Sequence, residues 1–293
     1  MKVLLTGASG FLGRHALKVL RSRGIEVVAI GRAIPPSGVS SIRADLLNIS
    51  DFGPLVQQAQ APYLLHLAWY TEHGKYWDSA LNLRWSEATT RLVEAFCSAG
   101  GRHVVVAGTC AEYDWAHGYC REDGTPLAPS TLYGTAKDAT RRLITAICAQ
   151  HQVSCAWGRI FFPYGVGESP NRLIPSLIGA FRGERAPFGV NARAYRDFLH
   201  ADDVAEGLVT LLTSNASGAY NVCSGEPTRL AEVVTTLASL LGADPRPILS
   251  LTTDRHGDPP LLFGESLKLR TLGWAPALTL GQGLARTIRG DVP

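Results

Sequence analysis

Several things are missing from this chain of 293 residues, and each absence closes off a class of function. Positive charge is not in surplus: the net charge is +3 with basic and acidic residues interleaved, so the basic stripe that a nucleic acid requires is lacking. No uninterrupted apolar segment approaches the ~18 residues of a membrane helix. The opening MKVLL is broken by Thr6, Gly7, Ser9 and Gly10, and so reads as a buried strand and not as a signal peptide. Cys97, Cys110, Cys120, Cys148, Cys155 and Cys223 form no CxxC, and neither they nor the eight histidines show metal-ligand spacing, so no metal is expected. His66 and His200 lie in apolar strand-like contexts and read as satisfied core residues. There is no internal repeat and no low-complexity tract.

What is present is a composition able to bury a large core, 46% hydrophobic and 18% charged, which argues against disorder. Most cysteines fall inside apolar segments as small hydrophobic residues do, and a soluble protein of the reducing cytoplasm is expected.

The first part alternates strand and helix. Strands are expected at 2–6, 26–30, 41–43, 63–67, 103–108 and 155–159, and helices at 10–23, 52–59, 81–99 and 133–150. This rhythm predicts an α/β fold with a Rossmann-like, doubly wound parallel sheet covered on both faces. After residue 165 the elements shorten and turn Pro- and Gly-rich, with helices at 174–182, 203–212, 230–241 and 280–289. The expected division is a dinucleotide-binding domain over 1–165, which the chain re-enters around 195–222, and a smaller α/β substrate lobe from 166–194 and 223–293.

Two motifs carry chemistry. Gly7, Gly10 and Gly13 follow the first strand and open a helix, spaced GxxGxxG. Glycine there permits a tight turn and close backbone approach to a pyrophosphate, while the helix N-terminus offers free amides; an ordinary glycine-rich turn is the alternative. Strand two ends in Gly31-Arg32, without the Asp or Glu that receives an NAD ribose hydroxyl. Arg32 suits a 2′-phosphate, so NADP(H) is preferred and NAD(H) is possible, unless Arg32 is simply a solvated surface residue. Asp45-Leu46 suits the adenine edge, though a helix-capping Asp45 fits nearly as well. The second motif is Tyr133 and Lys137 in TLYGTAK, neighbours on one helix face. A phenol titrates near ~10, and an adjacent ammonium is expected to lower that value, making tyrosine a proton donor to a developing alkoxide. Alone, the pair also fits a surface helix.

The company of these motifs resembles the extended short-chain dehydrogenase/reductase family, in its nucleotide-sugar epimerase, dehydratase and ketoreductase branch. The matching pieces run along nearly the whole chain: TGASGFLG (6–13), ADLLN (44–48), HLAW (66–69), Asn82, AGTCAEY (107–113), YGTAK (133–137), RIFFPYG (159–165), NRLIP (171–175), RDFLHADDVA (196–205), YNVCSGEP (220–227) and RHGDPP (255–260). The resemblance implies a cofactor site at Gly7, Ser9, Gly10, Phe11, Leu12, Gly13, Arg32, Asp45, Leu46, Leu67, Ala68, Trp69, Tyr133, Lys137 and Phe161. It puts the catalytic hydroxyl on Thr109 beside Tyr133 and Lys137, with Thr109 also touching substrate. Arg196 and Arg255 would reach a substrate diphosphate, unless Arg196 pairs with Asp197 or Asp202 and Arg255 with Asp254 or Asp258. Asn171, Arg172 and Phe188 would contact the nucleotide. The loop Trp69-Tyr70 through Tyr76-Trp77 shapes the sugar pocket or simply packs. A homodimer through the helices at 81–99 and 133–150 is implied as well.

Departures from the family pattern narrow the reaction. Dehydratases carry an Asp-Glu pair where this chain has Cys110-Ala111, which disfavours elimination of water; Glu112 and Cys110 read as structural, with acid–base chemistry in another geometry as the alternative. Phe162 replaces the family's Asn in RxxNxYG. The leading expectation is NADPH-dependent reduction of a 4-keto or 4-keto-6-deoxy nucleotide-linked sugar. A 4-epimerase comes next, then a carbonyl reductase of a non-sugar substrate, and last an NADP-sensing regulator without turnover.

Overall fold

The computed structural model describes residues 1–33, 38–251, 253 and 258–290. In chain order its elements are β1 (Lys2–Thr6), α1 (Phe11–Ser22), β2 (Glu26–Gly31), β3 (Ser40–Arg43), α2 (Gly53–Ala59), β4 (Tyr63–His66), α3 (Leu81–Ser98), β5 (His103–Thr109), β6 (Tyr119–Cys120), α4 (Leu132–Gln150), β7 (Ser154–Ile160) and β8 (Phe162–Tyr164). Then follow α5 (Leu173–Phe181), β9 (Tyr195–Arg196), β10 (Phe198–His200), α6 (Ala201–Thr213), β11 (Gly218–Val222), β12 (Thr228–Arg229), α7 (Leu230–Leu241), α8 (Arg246–Leu249), β13 (Leu261–Gly264), α9 (Leu267–Arg270) and α10 (Leu280–Arg289).

Seven parallel strands form the central sheet in the order β11-β7-β5-β4-β1-β2-β3. Period-two alternation divides the inner strands between two cores: in β1, Val3 and Leu5 join the side covered by α1 and α6, while Leu4 joins the side with Leu92, Phe96 and Ile144 from α3 and α4. The fold is the expected Rossmann-like α/β sheet. Strand order reverses at β1, with β2 on one side and β4 on the other. Crossovers therefore leave in opposite directions, and a crevice opens beyond the carboxyl ends of β1 and β4.

The later part of the chain builds a third core from Tyr164, Ile174, Leu177, Val233, Val234, Leu237, Ile248 and Leu284. A four-stranded sheet, β12-β9-β13-β6, and the pair β10-β8 accompany it. The strand β11, for which the apolar pattern gave no separate signal, forms the sheet edge beside β7. His15 on α1 is tied to Asp202 of α6 at 2.6 Å and to the Val166 carbonyl at 3.0 Å, joining the first helix to both later segments. Among the described residues no helix is long and apolar enough to cross a membrane.

Candidate active site

At the end of β1 the chain turns through Gly7 at φ 76°, a left-handed conformation that favours glycine. A β-carbon there would lie 2.8 Å from the amide nitrogen of Ala68, which follows β4, and one on Gly13 would lie 1.8 Å from the Gly7 carbonyl oxygen. The close packing of turn, helix and neighbouring strand thus requires these glycines. The first turn of α1 carries no acidic residue and its N-terminal residue, Gly10, supplies no side-chain cap, which leaves amides and the positive helix end available to an anion. A dinucleotide fits this cradle.

The turn is one end of a cavity of about 700 Å³, and all the expected site residues except Arg255 stand in its wall. Arg255 lies outside the described residues. At the cofactor end are Gly7, Ser9, Gly10, Phe11, Leu12, Gly13, Arg32, Asp45, Leu46, Leu67, Ala68 and Trp69. Arg32 is exposed. The Asp45 carboxylate accepts from the Leu47 amide at 3.2 Å and from the Asn48 side chain at 2.9 Å, so its capping role is realised at the cavity rim.

The other end is set by β5 and α4. Buried β5 delivers Thr109 to the mouth of the sheet, where its hydroxyl accepts from the Ala111 amide at 3.2 Å. Thr131 caps α4 by accepting from the Gly134 amide at 3.1 Å. This fixes Tyr133 in the first turn and Lys137 one turn on. Tyr133 is nearly buried, with Tyr76 edge-on at 4.9 Å and Trp77 at 5.8 Å between ring centres. Its backbone amide donates to the Trp77 carbonyl at 2.9 Å. The 71–77 loop is therefore both packing and pocket wall. Trp115, which carried no sequence signal, completes the aromatic cluster.

Lys137 does not lower the phenol as expected. Burial pushes the Tyr133 phenol above its ordinary value and Tyr76 adds to this, with the Thr109 hydrogen bond only partly opposing them. The Lys137 ammonium donates to the Ala107 carbonyl at 2.8 Å and lies 3.8 Å from the Trp69 ring centre, against 6.0 Å for the Tyr133 ring. Burial pushes it down to about 7, with Glu112 pulling upward. A low-dielectric pocket disfavours ammonium and phenolate alike.

Glu112 is fully enclosed. Its carboxylate accepts from the Thr109 amide (2.9 Å), the Trp157 indole (2.7 Å) and Arg159 Nε (2.8 Å), and Arg159 also donates to the Tyr113 hydroxyl at 2.9 Å. Cys110 sits in an apolar cluster with Phe161 and Leu262, its thiol pushed up by burial. The geometry gives both residues the structural roles expected of them. His66 is satisfied by Thr6 and Thr89 at 2.8 and 3.0 Å. His200 departs from expectation: its Nδ1 accepts from the Asp202 amide, but buried Nε2 has no hydrogen-bond partner among the described residues.

Around the remaining wall stand Phe161, Asn171, Arg172, Phe188 and Arg196. Arg196 pairs with neither Asp197 nor Asp202. It donates to Asp258 at 2.5 Å and to the Tyr195 carbonyl at 2.7 Å, with its guanidinium carbon 5.7 Å from the centre of the Phe162 ring. Asp197 is instead consumed by the Ser224, Gly225 and Gly264 amides. Asp258, expected only as a partner of Arg255, is instead that of Arg196, and Glu168, which pairs with Arg172 at 2.8 Å, is a cavity residue that no sequence pattern marked.

Comparison with known proteins agrees with this architecture. The NAD dependent epimerase/dehydratase family matches residues 3–223. The structure of MoeE5 in complex with UDP-glucuronic acid and NAD is 32% identical over 99% of both chains, with a TM-score of 0.85; MoeE5 has also been solved in complex with UDP-glucose and NAD. A UDP-glucose 4-epimerase of Streptomyces lividans is 28% identical across 94% of this chain and 92% of its own. A dTDP-6-deoxy-L-talose 4-dehydrogenase (NAD(+)) of Aggregatibacter actinomycetemcomitans is 27% identical across 80% of this chain and 88% of its own. With its parallel sheet and glycine turn, the chain belongs to the NAD dependent epimerase/dehydratase family, within the extended short-chain dehydrogenases/reductases, and is an enzyme of that family.

Proposed function

We propose that this enzyme interconverts a carbonyl and a carbinol, at C4 in the first instance, on a sugar carried by a nucleoside diphosphate, and that it works as a ketoreductase with NADP(H) preferred. The observation that carries this reading is the meeting of Thr109, Tyr133 and Lys137 at one end of a cavity whose other end is the glycine turn. Gly7, Gly10, Gly13 and the adjoining cofactor-end residues would hold the dinucleotide, Arg32 its 2′-phosphate and Lys137 its nicotinamide ribose. When bound, the nicotinamide supplies the two-electron chemistry. The chain itself binds the sugar oxygen through Thr109 and delivers the proton from Tyr133. A phenol is protonated at neutral pH at its ordinary value and burial only raises that value, so Tyr133 stands in the form required of a donor during reduction. Water elimination is not supported, because Cys110 and Ala111 offer no acid–base pair.

On the substrate side, Arg196 keeps further N–H donors beyond those given to Asp258 and Tyr195, and with Arg255 suits a diphosphate. Asn171, Arg172 and Phe188 would face the rest of the nucleotide sugar. A homodimer through α3 and α4 would cover Leu83 and Leu143, which are exposed on those helices. The second reading is a 4-epimerase, favoured by likeness to the S. lividans enzyme and by the NAD bound in MoeE5.

Incubation with NADPH and a 4-keto nucleotide sugar, followed by nicotinamide absorbance, separates the two. Stoichiometric consumption is expected; no consumption of NADPH, together with interconversion of the two C4 epimers when the corresponding 4-hydroxy nucleotide sugar is supplied instead, would replace the ketoreductase reading with the epimerase. Tyr133→Phe should lower turnover by roughly 10²–10⁴-fold and leave dinucleotide affinity intact. Full turnover in that variant would refute the assignment of the proton donor.

A further inference from the structure

Between β8 and α5 the chain places a carboxylate where its chemistry is incomplete. The Glu168 side chain is only 3% exposed and lines the cavity. One oxygen, Oε1, accepts from Arg172 Nε at 2.8 Å. The other, Oε2, is buried with no hydrogen-bond partner among the described residues. Burial pushes this acid up to about 7, and Arg172 together with a Gly165 backbone hydrogen bond only partly offsets the shift. A buried acceptor with no donor is costly, and a ligand hydroxyl is a donor that would complete it.

The pair stands toward the sugar end. Burial pushes the Tyr76 phenol up while the nearby Arg172 charge pulls it down, and Tyr76 packs edge-on against Tyr133. Besides the Thr109 hydroxyl, the hydrophobic cluster around Tyr133 adds Ala111, Trp77 and Trp115. Lys137 is committed to the Ala107 carbonyl and the Trp69 ring. Among the described residues a carboxylated sugar beside Tyr133 would therefore meet no uncommitted lysine, and it would stand near the Glu168 carboxylate.

Resting on the nucleotide-sugar reading, we propose that Glu168 and Arg172 form a charge-neutral recognition pair that selects an uncharged sugar: Glu168 Oε2 accepts a sugar hydroxyl, and a hexuronate is disfavoured. The solved MoeE5 complexes contain UDP-glucose in one case and UDP-glucuronic acid in another, so these two ligands probe the choice directly.

The test is calorimetric titration of the NAD-saturated protein with UDP, UDP-glucose and UDP-glucuronic acid, for wild type and Glu168→Gln. Wild type should bind UDP-glucose at least about tenfold more tightly than UDP-glucuronic acid, and E168Q should shrink that ratio roughly tenfold by improving the uronate. Equal binding or a uronate preference in wild type overturns the inference without need of a variant. So does an unchanged ratio in folded E168Q, with folding checked by its melting temperature. NAD titrated without any sugar should bind both proteins alike; weaker NAD binding by E168Q would make the cofactor the missing donor and also overturn it. Failure of UDP and of dTDP, GDP and CDP alike to bind would count against the nucleotide-sugar reading beneath, and this inference with it; UDP binding with the wrong sugar ratio sinks the inference alone.

Discussion

Replacing Glu112 by Gln removes the carboxylate that holds Arg159 while keeping nearly the same volume. Glu112 is wholly buried and the Arg159 side chain is 2% exposed, so no solvent is available to take over the pairing. The amide nitrogen of glutamine must also face one of the three donors now satisfied by carboxylate oxygens: the Thr109 amide, the Trp157 indole or Arg159 Nε. Breaking a buried pair by removing one partner costs about 3–5 kcal/mol, a large share of the roughly 5–15 kcal/mol that stabilises a domain. At about 2–4 °C per kcal/mol, the melting temperature should fall by roughly 6–20 °C. Thermal unfolding by circular dichroism measures this. Adding Arg159→Met should restore more than half of the loss, because the orphaned charge goes with it. An E112Q protein melting within about 2 °C of wild type, on the same scale, would refute the reasoning that this network organises the end of β5 under Thr109.

Lys137 makes a pH prediction of definite sign. Its folded value is about 7 against an ordinary 10.5, so the cost of burying the ammonium is fully present below pH 7 and is relieved as pH rises from 7 toward 10.5. Urea unfolding should show Lys137→Met more stable than wild type near neutrality, with the gap closing by pH 10; a gap constant over that window contradicts the assignment. Arg32 bears on cofactor choice: Arg32→Ala should reduce the NADPH-to-NADH affinity ratio by about 10–100-fold, the worth of a charge-assisted bond. Fluorescence titration measures the ratio, and a wild type that prefers NADH with no change in R32A removes the NADP reading.

The strand–turn–helix at residues 2–22 and the Tyr133–Lys137 spacing were legible in the sequence because both are local. Strand apolarity, the glycines a tight turn needs and the i, i+4 geometry of a helix are set within a few residues of backbone. The family motifs extended that reading along the chain, while Arg255 falls where nothing structural is described. Other features were decided by partners far away in sequence. Glu112 finds Arg159 across 47 positions and Arg196 finds Asp258 across 62; the aromatic loop closes on Tyr133, and Glu168 is left with a bare oxygen. The electrostatics of Tyr133 and Lys137 belong to the same class. Their spacing indicates that a phenol and an amine can meet, but only tertiary packing fixes how much water remains, and that dehydration raises the phenol and lowers the lysine.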